Sequence, residues 1–277
     1  MRKATKALVE RIQTSIETIS ALPGIADMSA TKRVPKGFYA AVEELIAHYD
    51  AYAKLVREGM ELSKLEVAGR GAGVAACYEV PTGVSGLETL NIYRAIRPWK
   101  DFPKIASDLG RAAEQLFADI QSGHKGKDPK KIRMTGGAVR NGRRQFARRA
   151  VPCPFLDERA RRCRIWDQRP VVCRMHHINT DAAWSLPTHA NFGRAKAKNI
   201  RLPVRQQLEL ARLDKRMEWQ PSPFLYAGVL QLLQLADGEL INEVGEAPRR
   251  MQQDGRVAQR ANRNVRHAAK HRKKRRG

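Results

Sequence analysis

Apolar residues recur along the chain at the spacing of α-helices. The first stripe advances in steps of three and four residues and consists of Leu8, Ile12, Ile16 and Ile19. Pro23 and Gly24 then favour the end of a helix. A second stripe between residues 37 and 67 predicts a longer helix, and it consists of Phe38, Val42, Leu45, Ile46, Tyr49, Tyr52, Val56 and Met60. The two helices are expected to pair as a hairpin whose apolar faces form core and carry no chemistry.

Three more helices are predicted further along the chain. Residues 104–121 carry an apolar face at helical spacing. Pro203 favours the start of another helix, because proline is well tolerated in a first helical turn. Ser222 and Pro223 favour the start of a third, which Gly238 ends. The fold class is therefore expected to be mainly α.

The remaining composition divides the chain into four segments. Residues 124–149 are rich in Gly, Lys and Arg, have almost no periodic apolar residues and are predicted to form an exposed loop. We expect an N-terminal helical hairpin in 1–66 and a region that contains all four cysteines in 67–200. Helices that pack on the core are expected in 201–245, and a basic disordered tail in 246–277.

Length and composition agree with a globular chain. Its 277 residues, 42% of them hydrophobic, can bury one sizeable core. Neither the first 22 residues nor any later stretch contains an apolar run long enough for a signal peptide or a membrane span. We expect a cytoplasmic protein without a membrane partner, in which cysteines stay reduced and serve metal or redox chemistry more often than disulfides.

The cysteines are the strongest candidates for chemistry. Cys153, Cys163 and Cys173 are spaced as C-x9-C-x9-C, and Cys77 is the only other cysteine. Thiolate is a soft ligand that suits zinc or iron, and a closed site of either kind commonly needs four ligands. Free cysteines can also be small buried hydrophobes, and the short C-x2-C motif is absent. Spacing alone leaves both interpretations open.

Residues around these cysteines match a known pattern. The pattern comprises Cys153-Pro154-Phe155-Leu156, then Cys163, Ile165 and Trp166, then Arg169-Pro170, Cys173 and Arg174. It resembles the YkgJ family of cysteine-cluster proteins, which are regarded as zinc- or iron-chelating domains. In that family several closely spaced cysteines supply the remaining ligands, whereas this chain offers only Cys77. The resemblance implies one metal centre, either one zinc ion or one iron-sulfur cluster, held by Cys77, Cys153, Cys163 and Cys173. Residues 67–200 are then a cysteine-cluster, metal-binding region. The expected architecture is a helical domain with a small irregular metal-held cysteine region and a basic disordered C-terminal tail.

Two neighbouring features allow more than one interpretation. His176 and His177 follow Cys173 and could be metal ligands, although with four cysteines available they are better interpreted as supporting or structural residues. The glycine-rich stretch 69–73 could cradle a phosphate, or it could be a turn that delivers Cys77 to the site. The turn is favoured, because neither a P-loop nor a dinucleotide-binding pattern is completed.

Charge adds a second functional hypothesis. The chain carries a net charge of +24, of which residues 124–174 contribute +12 and residues 246–277 contribute +10. Positive surroundings lower a thiol pKa and favour the thiolate, but the same charges could be a solvated surface or a landing site for phosphates. The alternative function is a basic factor associated with RNA or DNA, ribosomal or nucleoid-bound, in which the metal is a structural staple. No RNP, zinc-finger or helix-turn-helix signature is present, so such binding should be largely non-specific.

Catalysis is a weaker alternative. Cysteine blocks of this type are also similar to part of the flagellin lysine methylases, which implies an iron-sulfur enzyme. The sequence contains no Ser-His-Asp arrangement, no HExxH motif and no separate donor-binding fingerprint. No catalytic residue is predicted.

Overall fold

The protein is described by a computed structural model that covers residues 2–59, 66–122, 136–192, 194–219 and 221–246. The mainly helical class predicted from the sequence is confirmed. The α-helices are α1 Arg2–Ser20, α2 Met28–Thr31, α3 Phe38–Gly59, α4 Gly86–Ile96, α5 Phe102–Ser122, α6 Gly136–Arg148, α7 Val171–Arg174, α8 Val204–Arg216 and α9 Leu225–Leu235. The strands are β1 Glu66–Val67, β2 Leu156–Asp157, β3 Arg162–Cys163, β4 His176–Ile178 and β5 Ala197–Asn199. The predicted tail lies outside the described residues from 247 onward.

Helices α1 and α3 pack together through the apolar stripes that predicted them. The stripe of α1 is buried, and its members Ile12, Ile16 and Ile19 belong to the same core as the buried face of α3. Helix α3 ends at Gly59, so the predicted extension to about residue 67 is wrong. Glu66–Val67 forms strand β1 instead, and residues 60–65 lie outside the described part.

Helix α6 corrects the loop predicted for residues 124–149. Residues 136–148 form this helix, whereas residues 124–135 lie outside the described part. Two apolar residues near its end, Phe146 and Ala147, are buried. Gly142 lies against Ile120 of α5, where a Cβ would approach the Ile120 Cα to 2.6 Å. A short apolar face next to a neighbouring helix is sufficient here, because packing stabilises most protein helices more than propensity does.

The other predicted helices are confirmed as α5, α8 and α9, but α4 was not predicted. Helix α4 begins with a capping box, in which the Glu88 amide donates to the Ser85 hydroxyl oxygen and the Glu88 carboxylate accepts from the Ser85 amide. The motif S-x-x-E is visible in the sequence and could have revealed this helix. Helix α9 packs on both α4 and α5, and Gly238 follows it with φ of 81°.

Two small antiparallel sheets hold the cysteine region. Strand β4 pairs with β1 on one side and β5 on the other, with Val67 opposite His177. Strands β2 and β3 form a hairpin in which Leu156 lies opposite Cys163. The main hydrophobic core contains residues from α1 through to the residues after α9. It therefore includes residues from the first three segments proposed from the sequence. The boundaries of those segments remain predictions. Within the described ranges, no helix has the length and apolarity needed to cross a membrane.

Candidate metal centre

Cys77 lies near the end of a glycine-rich 3-10 helix that follows β1. This helix spans Gly71–Tyr78, and Gly73 packs so closely against β1 that a Cβ there would lie 2.0 Å from the Val67 carbonyl oxygen. The Gly69 amide donates to the Gly73 carbonyl oxygen over 3.2 Å, and the Gly73 amide also donates within the turn. Because these amides already donate within the turn, they are not directed at a phosphate. The structure therefore favours the turn that delivers Cys77 and not the phosphate cradle.

Cys153 is joined directly to the Cys77 segment. Its amide donates to the Cys77 carbonyl oxygen over 2.7 Å. Its sulfur accepts hydrogen bonds from the Phe155 amide and from the hydroxyl of Tyr226, a fully buried residue of α9. Donors of this kind stabilise a thiolate relative to a thiol. Tyr226 was missed by the sequence analysis, since nothing in its local pattern distinguishes it from the other buried residues of α9.

Cys163 is held by the hairpin and by the strand-like segment before Cys77. Its amide donates to the Gly69 carbonyl oxygen over 2.8 Å, and the Ile165 amide donates to its sulfur. At both Cys153 and Cys163, the sulfur thus accepts a hydrogen bond from the backbone amide two residues later in the chain. Gly69 has φ of 92°, and a Cβ there would lie 3.1 Å from the Cys163 Cβ. The close approach of the two segments therefore requires glycine at this position.

Cys173 lies on the short helix α7, whose first amide is bound by α4. The Glu88 carboxylate accepts a hydrogen bond of 2.5 Å from the Val171 amide while it also accepts from the Ser85 amide (2.9 Å) and hydroxyl (2.7 Å). Burial raises the pKa of Glu88, and these hydrogen bonds oppose that rise. The capping box of α4 therefore also positions the helix that carries Cys173.

The structure brings the four predicted ligands within electrostatic range of one another. Burial is the largest cause that raises the pKa of Cys153 to about 12, and it also raises the pKa of Cys77, Cys163 and Cys173. The other three thiols raise the pKa of Cys173 further. Desolvation therefore outweighs the positive charges around these thiols, which by themselves lower the thiol pKa.

The four cysteine sulfurs are ligands of the kind that zinc or iron binds, but they are not arranged as they would be around a bound metal. Four thiols from four separate segments meet in the half-buried region, and sulfur ligands suit both metals. Across the described ranges, no three His, Cys, Asp or Glu side chains are arranged to hold a metal ion as they stand. The thiols are gathered, and ligation by them remains a prediction.

Arg169 provides the observation that tests whether an anionic metal centre fits here. Its side chain is only 5% exposed, and its Nη1 donates to the Ala68 carbonyl oxygen over 2.7 Å. Among the described residues, no carboxylate lies within ion-pair distance of it. Its charge lowers the pKa of Cys77, Cys163 and Cys173. The guanidinium also lies over the Trp166 ring, with Cζ 3.3 Å from the ring centroid, and the Asp50 carboxylate acts on it electrostatically. A buried cation favours anionic groups beside it, so the thiolates of a metal centre would fit next to Arg169.

Arg174 fixes the helix that carries Cys173. This buried side chain forms an ion pair with Asp50 of α3. Its Nε donates to the Arg169 carbonyl oxygen over 2.6 Å, and an Nη donates to the Asp167 carbonyl oxygen. The motif that ends in Cys173 and Arg174 is thereby tied to α3 and to the preceding turn.

The two histidines after Cys173 lie in β4. The ring of His177 is buried, and its Nδ1 lies 3.2 Å from the Met175 carbonyl oxygen. Burial lowers the pKa of His177, which favours the neutral ring. These contacts agree with the structural role that the sequence analysis favoured.

The described part of the chain is mainly helical and brings four cysteine thiols within electrostatic range of one another. Residues 118–194 match a family model named CxxCxxCC, which is described as a putative zinc- or iron-chelating domain. The match confirms the resemblance to a cysteine-cluster family and supports metal binding. It includes Cys153, Cys163 and Cys173 and does not extend to Cys77. Comparisons with curated proteins and with solved structures gave no match.

Proposed function

We propose that the protein binds one metal centre through Cys77, Cys153, Cys163 and Cys173. The observation that carries this proposal is the approach of four thiols to one another beside the buried side chain of Arg169, whose charge acts on Cys77, Cys163 and Cys173. The family match supports metal binding in general. One zinc ion or one iron-sulfur cluster would satisfy four thiolates, and the sulfurs must move closer together to bind either.

The centre is proposed to act as a structural cross-link. Helices α4, α5 and α6 all lie between Cys77 and Cys153 in the chain, so a metal bond between these two residues closes a long loop. The free-energy gain from closing such a loop is of the order of 4 kcal/mol in chain-entropy terms. A bound zinc would supply only this cross-link, whereas an iron-sulfur cluster would also supply electron transfer.

Metal and acid-labile sulfide content, measured on protein purified without air or chelator, distinguish the two centres. About one zinc per chain without colour is expected for the cross-link alone. Iron with sulfide and a visible absorption band is expected for a cluster. Protein that retains neither metal under these conditions would contradict the proposal.

The variant Cys163→Ser tests the ligand set. We expect it to lose bound metal and to melt roughly 5–15 °C lower than the wild type, because the cross-link is lost. Metal content and thermal unfolding of the same preparations provide the measurement. After both proteins are stripped with a chelator, their melting temperatures should agree within about 2 °C. Full metal content in the variant would reject Cys163 as a ligand, and a melting difference that persists in the stripped proteins would mean that Cys163 only packs.

A further inference from the structure

Helix α6 presents a row of exposed arginines on one face. Arg140, Arg144 and Arg148 follow one another at four-residue steps, so that successive Cα atoms lie about 6 Å apart along the helix axis. Within the described part of the chain, none of the three has an ion pair or a hydrogen-bonded side-chain partner. The row is therefore a set of free guanidinium groups on a fixed backbone.

Other arginines nearby are used to hold the fold. Arg143 pairs with Glu79 over 3.5 Å, and Arg149 pairs with the buried Asp119 of α5 over 2.6 Å. These two contacts attach both sides of α6 to its surroundings. The arginines in the row are not needed for that attachment.

The row also opposes the stability of the helix that carries it. Helix α6 contains no acidic residue. Like charges four residues apart destabilise a helix, and a face that only needs to be solvated can mix charges of both signs. An uncompensated row of one sign is better explained by an anionic partner.

The hairpin adds more cations beside this helix. Its exposed arginines without ion pairs in the described structure are Arg159, Arg161 and Arg162. The two elements border one segment, because Arg143 of α6 contacts Glu79, while the adjacent Tyr78 donates from its hydroxyl to Glu158 of the hairpin over 3.3 Å. We call the row on α6 and the three hairpin residues together the arginine surface.

We propose that the arginine surface docks the phosphate backbone of a nucleic-acid duplex. A duplex is a stiff rod with about one negative charge per 1.7 Å of its axis, so a row about 12 Å long can meet several phosphates at once. Guanidinium groups bind phosphate in bidentate geometry. Phosphate contacts carry no sequence information, so binding by this surface is sequence-independent. The proposal does not depend on the metal centre.

The test uses the full chain with Arg140→Gln, Arg144→Gln and Arg148→Gln combined, and a DNA duplex of about 20 base pairs as the probe. We expect binding to weaken roughly 10-fold or more at about 0.1 M salt. The slope of log affinity against log salt should fall in magnitude by about 2–3, because each lost phosphate contact removes about 0.9. A matched control replaces with Gln three exposed cations that have no ion pair in the described structure and lie on α8 or just before it, namely Arg201, Arg205 and Lys215. This control should change the affinity less than about 2-fold.

The melting temperature checks that the variant folds, and it should stay unchanged or rise, since repulsion on α6 is relieved. Equal losses in the two triple variants would overturn the proposal, because binding would then follow total charge alone. Unchanged duplex binding together with reduced binding to anionic vesicles or polyglutamate would also overturn it in favour of another acidic partner.

Discussion

At the scale of single residues, Arg169 connects two of the segments that carry the cysteines. Its Nη1 and Nε donate to the carbonyl oxygens of Ala68 and Trp166, which joins the segment before Cys77 to the segment before Cys173. Carbonyl groups satisfy the N–H donors but do not neutralise the charge. The Asp50 carboxylate acts on this charge, and thiolates at Cys163 and Cys173 would add further negative charge beside it.

We expect Arg169→Gln to weaken metal binding by about 10- to 100-fold, the range typical when a supporting residue around a metal site is lost. Arg169→Lys keeps the charge but not the planar fork of donors, so an intermediate affinity is expected. Competition with a chromophoric chelator measures both affinities. The matched control is Arg70→Gln, since Arg70 also lies over the Trp166 ring, with Cζ 4.4 Å from its centroid, but is exposed. Equal affinities of wild type and Arg169→Gln would show that the charge is compensated elsewhere.

At the scale of elements, the packing of α6 against α5 depends on one glycine. A Cβ at Gly142 would lie 2.4 Å from the Ile120 Cγ1 and 2.7 Å from the Ile120 amide nitrogen. The second of these is a backbone atom, which a change of side-chain rotamer cannot move. The two helices must separate if the residue becomes larger.

The variant Gly142→Ala is expected to lower the free energy of unfolding by roughly 1–3 kcal/mol, as overpacking of a well-packed contact does. Urea unfolding provides the measurement. Gly110→Ala in α5 is the matched control, because a Cβ at Gly110 meets nothing within 4 Å. That control should be neutral or stabilising by up to about 1 kcal/mol. A Gly142→Ala protein as stable as the control would mean that α6 does not need this close approach.

The elements also explain which parts of the fold the sequence could predict. Helices α1, α3 and α5 have long apolar stripes, and periodicity alone predicts them. Helix α6 has only a short apolar face, and its high content of Gly and Arg is typical of a loop. The burial of Phe146 in the core, which supports this helix, is visible only in the structure. Strands β1 to β5 have two or three residues each, too few for a period of two to be recognised.

The candidate site was predictable in part for a similar reason. The spacing of its four cysteines leaves a metal site and small buried hydrophobes both open, and only the resemblance to a cysteine-cluster family implies a ligand set. The contacts of Tyr226 and Glu88 with this region join segments far apart in the chain. Only the tertiary structure can reveal such contacts, although the capping box at Ser85 was a visible signal for the second of them.

At the scale of the whole molecule, positive charge is concentrated in two stretches of the sequence. Residues 124–174 and 246–277 together carry +22 of the net +24. The core is contributed by the helices from α1 to α9, and Glu246 still contacts it through an ion pair of 3.6 Å with Arg94. Stability and polyanion attraction can be separated by removing the second stretch, because every core residue that the structure describes is then kept.

Removal of residues 247–277 is the variant that separates them, because it keeps Glu246 and its contact with Arg94. The deleted segment contains 12 Lys or Arg and one acidic residue. On the hypothesis that this segment contacts nucleic acid, duplex affinity should fall, and the salt slope should flatten by about 0.9 for each phosphate contact that is lost. The melting temperature should stay within about 2 °C of the wild type, since every core residue that the structure describes is kept. Titrations of a DNA duplex at several salt concentrations, with and without the α6 triple substitution, measure the effect.

If the tail and α6 contact different phosphates, the two losses of affinity add on the logarithmic scale. An unchanged salt slope after truncation would exclude the tail from binding and leave the arginine surface as the contact with phosphate.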